Sequence, residues 1–176
     1  MSARTARRRL FFALWPDAGV ATQLAAAGAA ADAVLEHIDD LHLTVLFLGQ
    51  VPELQFDALK AAAGQIRLPP IYQPLARLEV WPQPGVLCLV GDPVDPLERL
   101  RNALEQAAWG AGLDRPREQR EFRAHVTLSR GFNPAPGFVP PPVEPPLLVA
   151  RHFTLAESVP RRDRRRYEAL ASWPLR

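Results

Sequence analysis

The apolar positions of this chain follow two rhythms, one of strands and one of helices. Leu10-Phe11-Phe12-Ala13-Leu14-Trp15 is a short aromatic-rich run closed by Pro16 and Asp17, which predicts a buried strand. From Gly19 to Ile38 an Ala-rich stretch sets Val20, Leu24, Val34, Leu35 and Ile38 at roughly helical spacing, with Pro16-Asp17 as its start signal. Leu41 to Leu48 reads as a second strand ended by Gly49. Pro52 to Ile66 reads as a second helix, with Leu54, Ala58, Ala62 and Ile66 on one stripe. After Leu68-Pro69-Pro70, Leu75 to Trp81 and Val86 to Val90 form an expected strand pair turning at Pro82-Gln83-Pro84-Gly85.

Pro96 to Leu113 predicts a third helix with Leu97, Leu100 and Leu104 inward, and Arg115 to Glu121 a charged loop. Phe122 to Leu128 predicts a strand before Gly131. Seven prolines in the fourteen positions 133–146 exclude an interior strand or helix there and leave a surface loop of polyproline character. Leu147 to Ser158 and Tyr167 to Trp173 close the chain as two strands around an Arg-rich turn. Strand, helix, strand occurs twice in this order, which predicts an α+β fold of two similar lobes.

At 176 residues the chain suits one domain, and 48% apolar with 23% charged residues is a globular rather than a disordered composition. One cysteine, Cys88, excludes an intramolecular disulfide and a cysteine-cluster metal site, and fits a reducing compartment. Leu10 to Trp15 is far short of the roughly 20 residues of a membrane span. We therefore expect a cytoplasmic monomer with no membrane partner. Charge is uneven: residues 1–114 sum to −4 and residues 115–176 to +6, and Lys60 is the single lysine among 21 basic side chains. An Arg-rich, basic C-terminal third suits an anionic partner or reflects composition alone.

The chemistry lies in a repeated tetrapeptide. There are four histidines, and three of them precede a threonine by two positions: His42-Leu43-Thr44-Val45, His125-Val126-Thr127-Leu128 and His152-Phe153-Thr154-Leu155. Random placement gives on the order of 0.1 such pairs. On a strand, residues i and i+2 share a face, so each motif presents an imidazole and a hydroxyl side by side while its apolar residues anchor the strand. Two such pairs across a cleft suit in-line displacement at phosphorus. One imidazole activates the nucleophile, the other protonates the leaving oxygen, and the hydroxyls hold non-bridging oxygens. One ring must then be charged and one neutral, giving a bell-shaped rate profile. No GxxxxGK, GxSxG or HExxH is present, and neither cofactor nor metal is expected.

The chain resembles the two-histidine (2H) phosphoesterase superfamily, and within it the bacterial and archaeal RNA 2′,3′-cyclic phosphodiesterases historically called 2′-5′ RNA ligases. The resemblance rests on RLFFAL before Pro16, LHLTVLFLG at 41–49, AHVTLSR at 124–130, and Phe153, Leu155 and Ser158 followed by YEALASWPL. It implies a bilobal, pseudo-two-fold α+β fold, with two antiparallel-rich sheets flanking a groove and helices outside. It implies hydrolysis of RNA 2′,3′-cyclic phosphate ends to a 2′-phosphate, with 2′-5′ ligation as a side reaction. Carried onto this sequence, His42 is the proton donor to the 3′ oxygen and His125 the acceptor from water, the roles exchanging in the reverse direction. Thr44, Thr127 and Arg130 bind phosphate. Arg130 requires a strand end or bulge near Ser129, because strict alternation turns it away from His125; Arg123 has the right parity and weaker resemblance.

His152 aligns with the closing strand and is expected to be non-catalytic. The run Arg161 to Arg166, where the family often has a Gly-containing turn, is a solvated loop or an RNA-backbone contact. Ala124 replaces the family's usual Pro before the second histidine. Phe11, Phe12, Trp15 and Trp81 are expected in the core. Two alternatives stand beside the RNA-end reading: a phosphodiesterase for small cyclic nucleotides, and a non-catalytic RNA-binding module.

Overall fold

The structure is a computed structural model. It describes residues 6–114, 121–161 and 164–176, with side chains at all of these except 161 and 164–166. The loop expected at 115–121 therefore lies almost wholly outside the described residues, as do the side chains of the arginine run.

β1 (Arg7–Leu14) carries a continuous apolar run from Leu10 to Leu14, where both of its faces are covered. Leu10, Phe12 and Leu14 enter the main core, while Phe11 and Ala13 join a small cluster with Ala156 on the other face. α1 (Ala18–Ala29) starts at Asp17, whose carboxylate accepts from the Val20 N–H at 2.8 Å. It ends nine residues before the Ile38 expected from periodicity. Asp32 adopts a left-handed φ of 53° and Val34 is 86% exposed. The stop is tertiary rather than local: the Glu36 N–H donates to the Leu128 carbonyl at 2.8 Å, and Ser129 Oγ donates to the Val34 carbonyl at 2.5 Å. A 3-10 turn (Ile38–Asp40) leads into β2 (Leu43–Pro52).

α2 (Phe56–Ala63) follows a second 3-10 turn. β3 (Ile71–Pro74) was not predicted, because four residues between prolines carry no pattern long enough to read. The expected hairpin is β4 (Arg77–Trp81) and β5 (Val86–Gly91), turning through Gly85 at φ 81°. α3 (Asp95–Gly110) and β6 (Ala124–Arg130) follow. Residues 133–146 form neither strand nor helix, as their prolines require. The strand expected from Leu147 is two strands, β7 (Leu147–Ala150) and β8 (His152–Arg161), because they serve different sheets. β9 (Arg164–Pro174) ends the fold.

Seven strands form one antiparallel sheet in the order β4-β5-β6-β2-β1-β8-β9, and β3 pairs with β7 in a second sheet. The fold is α+β. The two expected lobes appear as two groups of strands, one of four and one of three, joined through one register pair, Leu43↔Val126. Leu24 of α1, Leu59 of α2 and Leu97, Leu100 and Leu104 of α3 cover one sheet face and make the core with it. The opposite face carries one small cluster per group: Phe11, Ala13 and Ala156 with Trp15 and Tyr167, and Val86, Cys88 and Val90 with Trp81. A groove runs between them.

The second sheet approaches the first very closely at Gly91, where a β-carbon would lie 2.0 Å from the Pro74 carbonyl oxygen. Gly91→Ala is expected to destabilise the fold by about 1–3 kcal/mol. A urea unfolding midpoint equal to that of the wild type would contradict this.

Candidate active site

β2 and β6 lie side by side at the middle of the sheet, and the central residues of their two His-x-Thr motifs, Leu43 and Val126, pair with each other. An antiparallel pair has a local two-fold axis through its midpoint. The motifs are thus related by that axis, and the register sets His42 opposite Thr127 and Thr44 opposite His125. Burial alternates as strand geometry demands: Leu43, Val45, Ala124, Val126 and Leu128 are buried, while the histidines and threonines between them face the groove. His42, Thr44, His125 and Thr127 line one cavity of about 210 Å³.

Both rings are oriented alike. His42 Nδ1 bonds the Asp40 carbonyl at 2.7 Å, and His125 Nδ1 bonds the Arg123 carbonyl at 2.7 Å. A carbonyl only accepts, so each Nδ1 carries the hydrogen and each Nε2 is the nitrogen free to exchange a proton. His42 Nε2 accepts from Thr44 Oγ1 at 3.0 Å. The pairs differ on the other side of the axis, where Thr127 Oγ1 contacts Cys88 Sγ at 3.7 Å instead. Burial among aromatics pulls the His42 imidazole down to about 4. The positive charge of Arg130 and the nearness of His125 push the same way, against the Asp40 carbonyl. His125 is also lowered, chiefly by burial, with Arg123 and Arg130 adding to it.

The aromatic residues do more than fill the core. Trp15 stacks on His42 at 5.0 Å between ring centroids, Phe11 lies at 5.1 Å, and Tyr167 meets it edge-on at 4.7 Å. Trp81 lies 4.6 Å from His125. Phe12 is a core residue as expected, but Trp15 and Trp81 are half-buried walls of the histidine sites. Phe11 is buried and still touches His42.

The bulge that Arg130 requires is present. Cys88 pairs with Thr127 and Leu87 with Ser129, so Leu128 is an extra residue in β6. The parity beyond it is reversed, and Arg130 lines the same cavity as the two histidines. Its partners are weak, Tyr167 Oη at 3.5 Å and Glu36 at 3.9 Å. Arg123 instead donates to both Glu79 carboxylate oxygens at 2.7 Å and lies over Trp81. His152 is exposed, pairs with Pro174 and lines none of the cavities that hold His42 or His125. Its local pattern matches the other two motifs, but β8 is not at the seam between the strand groups. Glu36, Asp40 and Tyr167 also line the cavity and were not singled out from sequence. Only their contacts across the fold reveal them. Among the described residues no group of three or more His, Cys, Asp or Glu side chains is placed to hold a metal, and no helix is long and apolar enough to cross a membrane.

Comparison with known proteins gives a consistent picture. A family model described as the 2′-5′ RNA ligase superfamily matches residues 16–147. An RNA 2′,3′-cyclic phosphodiesterase of Escherichia coli (strain K12) is 35% identical over 138 residues, 78% of this chain and 77% of that one. The crystal structure of E. coli LigT in apo form superposes with a TM-score of 0.83 at 33% identity, covering 97% of this chain and 98% of that one. LigT complexed with 3′-AMP superposes with a TM-score of 0.83 at 32% identity, covering 96% and 98%.

The lowered His42 value makes stability depend on pH. The unfolded ring binds its proton near 6.5 and the folded ring near 4, so the unfolded state takes up more protons in that window. Stability is then lost as pH falls from 7 to 4, by on the order of 3 kcal/mol for this residue. His42→Gln is expected to lose less over the same range in denaturant titrations. Parallel losses for both proteins would contradict the buried, neutral ring.

Proposed function

The chain belongs to the 2′-5′ RNA ligase superfamily, and from that premise we propose that it hydrolyses RNA 2′,3′-cyclic phosphate ends to 2′-phosphates by two-histidine acid–base catalysis without a metal. The observation that carries this reading is the Leu43↔Val126 pairing, which puts two Nδ1-anchored imidazoles and two hydroxyls around one cavity.

The phosphate sits between the rings. His125 Nε2 takes a proton from water as the water oxygen attacks phosphorus. The bond from phosphorus to O3′ breaks on the far side, and His42 Nε2–H gives its proton to that oxygen. Thr44, Thr127 and Arg130 hold the non-bridging oxygens as charge gathers on them. A 5′-hydroxyl in place of water gives a 2′-5′ linkage by the same proton movements. An adjoining cavity of about 520 Å³, lined by Thr44 and Phe47 on the side of one strand group and by Trp81 and Phe122 on the side of the other, takes the nucleoside.

In the free protein both rings are neutral near pH 7, and the Thr44 hydroxyl hydrogen is directed at His42 Nε2. Protonation of Nε2 releases that hydrogen for a phosphate oxygen. Phosphate binding and His42 charging therefore favour each other, and the anion raises the proton affinity of both rings.

Incubation with an oligonucleotide ending in a 2′,3′-cyclic phosphate is expected to leave a 2′-phosphate terminus, with EDTA causing no loss. His42→Ala and His125→Ala each lower kcat by about 10²–10⁴-fold, and His152→Ala stays within a few fold. A 3′-phosphate product, or near-total loss at His152, would overturn the assignment.

The pH profile of kcat/KM is expected to be bell-shaped with both limbs below the ordinary histidine value of about 6.5, because it reports the free protein. The kcat profile lies at higher pH, because the bound phosphate favours the charged ring. Stopped-time product assays across pH 4–9 check both; a kcat/KM optimum above pH 7 contradicts the lowered values.

A further inference from the structure

A second cavity, of about 180 Å³, adjoins the histidine cavity. It shares His42, Thr44, Arg130 and Tyr167 with it and adds Arg9, Phe11, Phe47 and Ser158. The β1–β8 register pairs Leu10 with Glu157, and the next step outward sets Arg9 opposite Ser158. Ser158 in turn pairs with Tyr167 of β9. Arg9, Ser158 and Tyr167 thus form one row across three strands. Arg9 lies on the same face as Phe11, two residues along the strand.

This row is built for an anion. The Arg9 guanidinium lies over the Phe47 ring, 4.8 Å from its centroid, which fixes it without neutralising it. Arg8 pairs with Glu157 and Arg123 with Glu79, but among the described residues Arg9 has no carboxylate partner, and no carboxylate lines this cavity. Ser158 is 8% exposed, and its hydroxyl has no partner among the described residues. Arg9 stands one i, i+2 step of about 6.7 Å along β1 from Phe11, whose ring is 5.1 Å from that of His42.

We propose that Arg9, Ser158 and Tyr167 form a second phosphate subsite, which holds the phosphate on O5′ of the nucleotide whose cyclic phosphate is opened. This rests on the catalytic reading of His42 and His125. The occupant is either the internal phosphodiester of an RNA end or a terminal 5′-phosphate, since both present at least two non-bridging oxygens. The guanidinium gives paired N–H donors and the hydroxyls add further ones.

The test compares kcat/KM for three substrates: uridine 2′,3′-cyclic phosphate, its 5′-phosphorylated form, and a dinucleotide ending in the same cyclic phosphate. The wild type is expected to favour both 5′-substituted substrates at least about tenfold over the 5′-hydroxyl one. Arg9→Gln is expected to bring the ratios to about one and to lower the salt slope for the dinucleotide by about 1. Ser158→Ala gives intermediate ratios, and Arg99→Gln on α3 keeps the wild-type ratios. Preference for the dinucleotide alone assigns the occupant as the internal diester; equal preference admits the terminal phosphate. Equal wild-type kcat/KM for all three, or wild-type ratios in Arg9→Gln, overturns the subsite while leaving the catalytic reading intact. No 2′-phosphate from any substrate overturns the catalytic reading itself.

Discussion

The site depends on one backbone pairing. β2 and β6 meet through Leu43 and Val126, and these are the middle residues of the two motifs. Had the strands met one residue out of step, every side chain would have changed face. The imidazoles would then enter the helix-covered core, and Leu43 and Val126 the groove. Apolar positions either side of each histidine prevent that slip: Leu41, Leu43 and Val45 are buried, and so are Ala124, Val126 and Leu128. The hydrophobic requirement of the core and the chemical requirement of the groove are met by the same alternation.

The environment of the rings works in two directions. Burial and the nearby arginine charges make the charged imidazole costly, so both rings rest neutral with Nδ1 tied to a carbonyl. The same exclusion of water strengthens the interaction of the rings with any anion that enters the cavity. A site that holds a positive His42 at rest would attract anions without distinction. Here the positive charge becomes favourable when an anion of the right shape reaches the cavity, and Arg130, held by weak contacts, is available to meet it.

Much of this was legible in the sequence because it depends on local periodicity. The His-x-Thr spacing fixed which side chains share a face, and the continuous apolar run of β1 indicated a strand covered on both sides. The resemblance pointed to Arg130, strand parity then required a strand end or bulge near Ser129, and the bulge lies at Leu128. What was not legible depends on contacts between distant residues. The early end of α1 comes from hydrogen bonds to β6, and nothing in an Ala-rich stretch announces it. The split at Arg151 arises because β7 and β8 pair with different partners. Trp15 and Trp81 were read as core because an aromatic on a strand has the same pattern whether it packs on leucine or on an imidazole. His152 shows the reverse limit: its motif is locally the same, and only the position of β8 in the sheet sets it apart.

The short connection between α1 and β2 joins both halves of the groove. Its Val34 carbonyl accepts from Ser129 and its Glu36 N–H donates to Leu128, both at the bulged end of β6, and a few residues later its Asp40 carbonyl orients His42. It acts as a splint of fixed length between the Arg130 side and the His42 side of the groove. A single inserted or deleted residue there would detach one end or the other. This stretch, although a surface loop without helix or strand over most of its course, should tolerate changes of side chain at Val34 far better than any change of length.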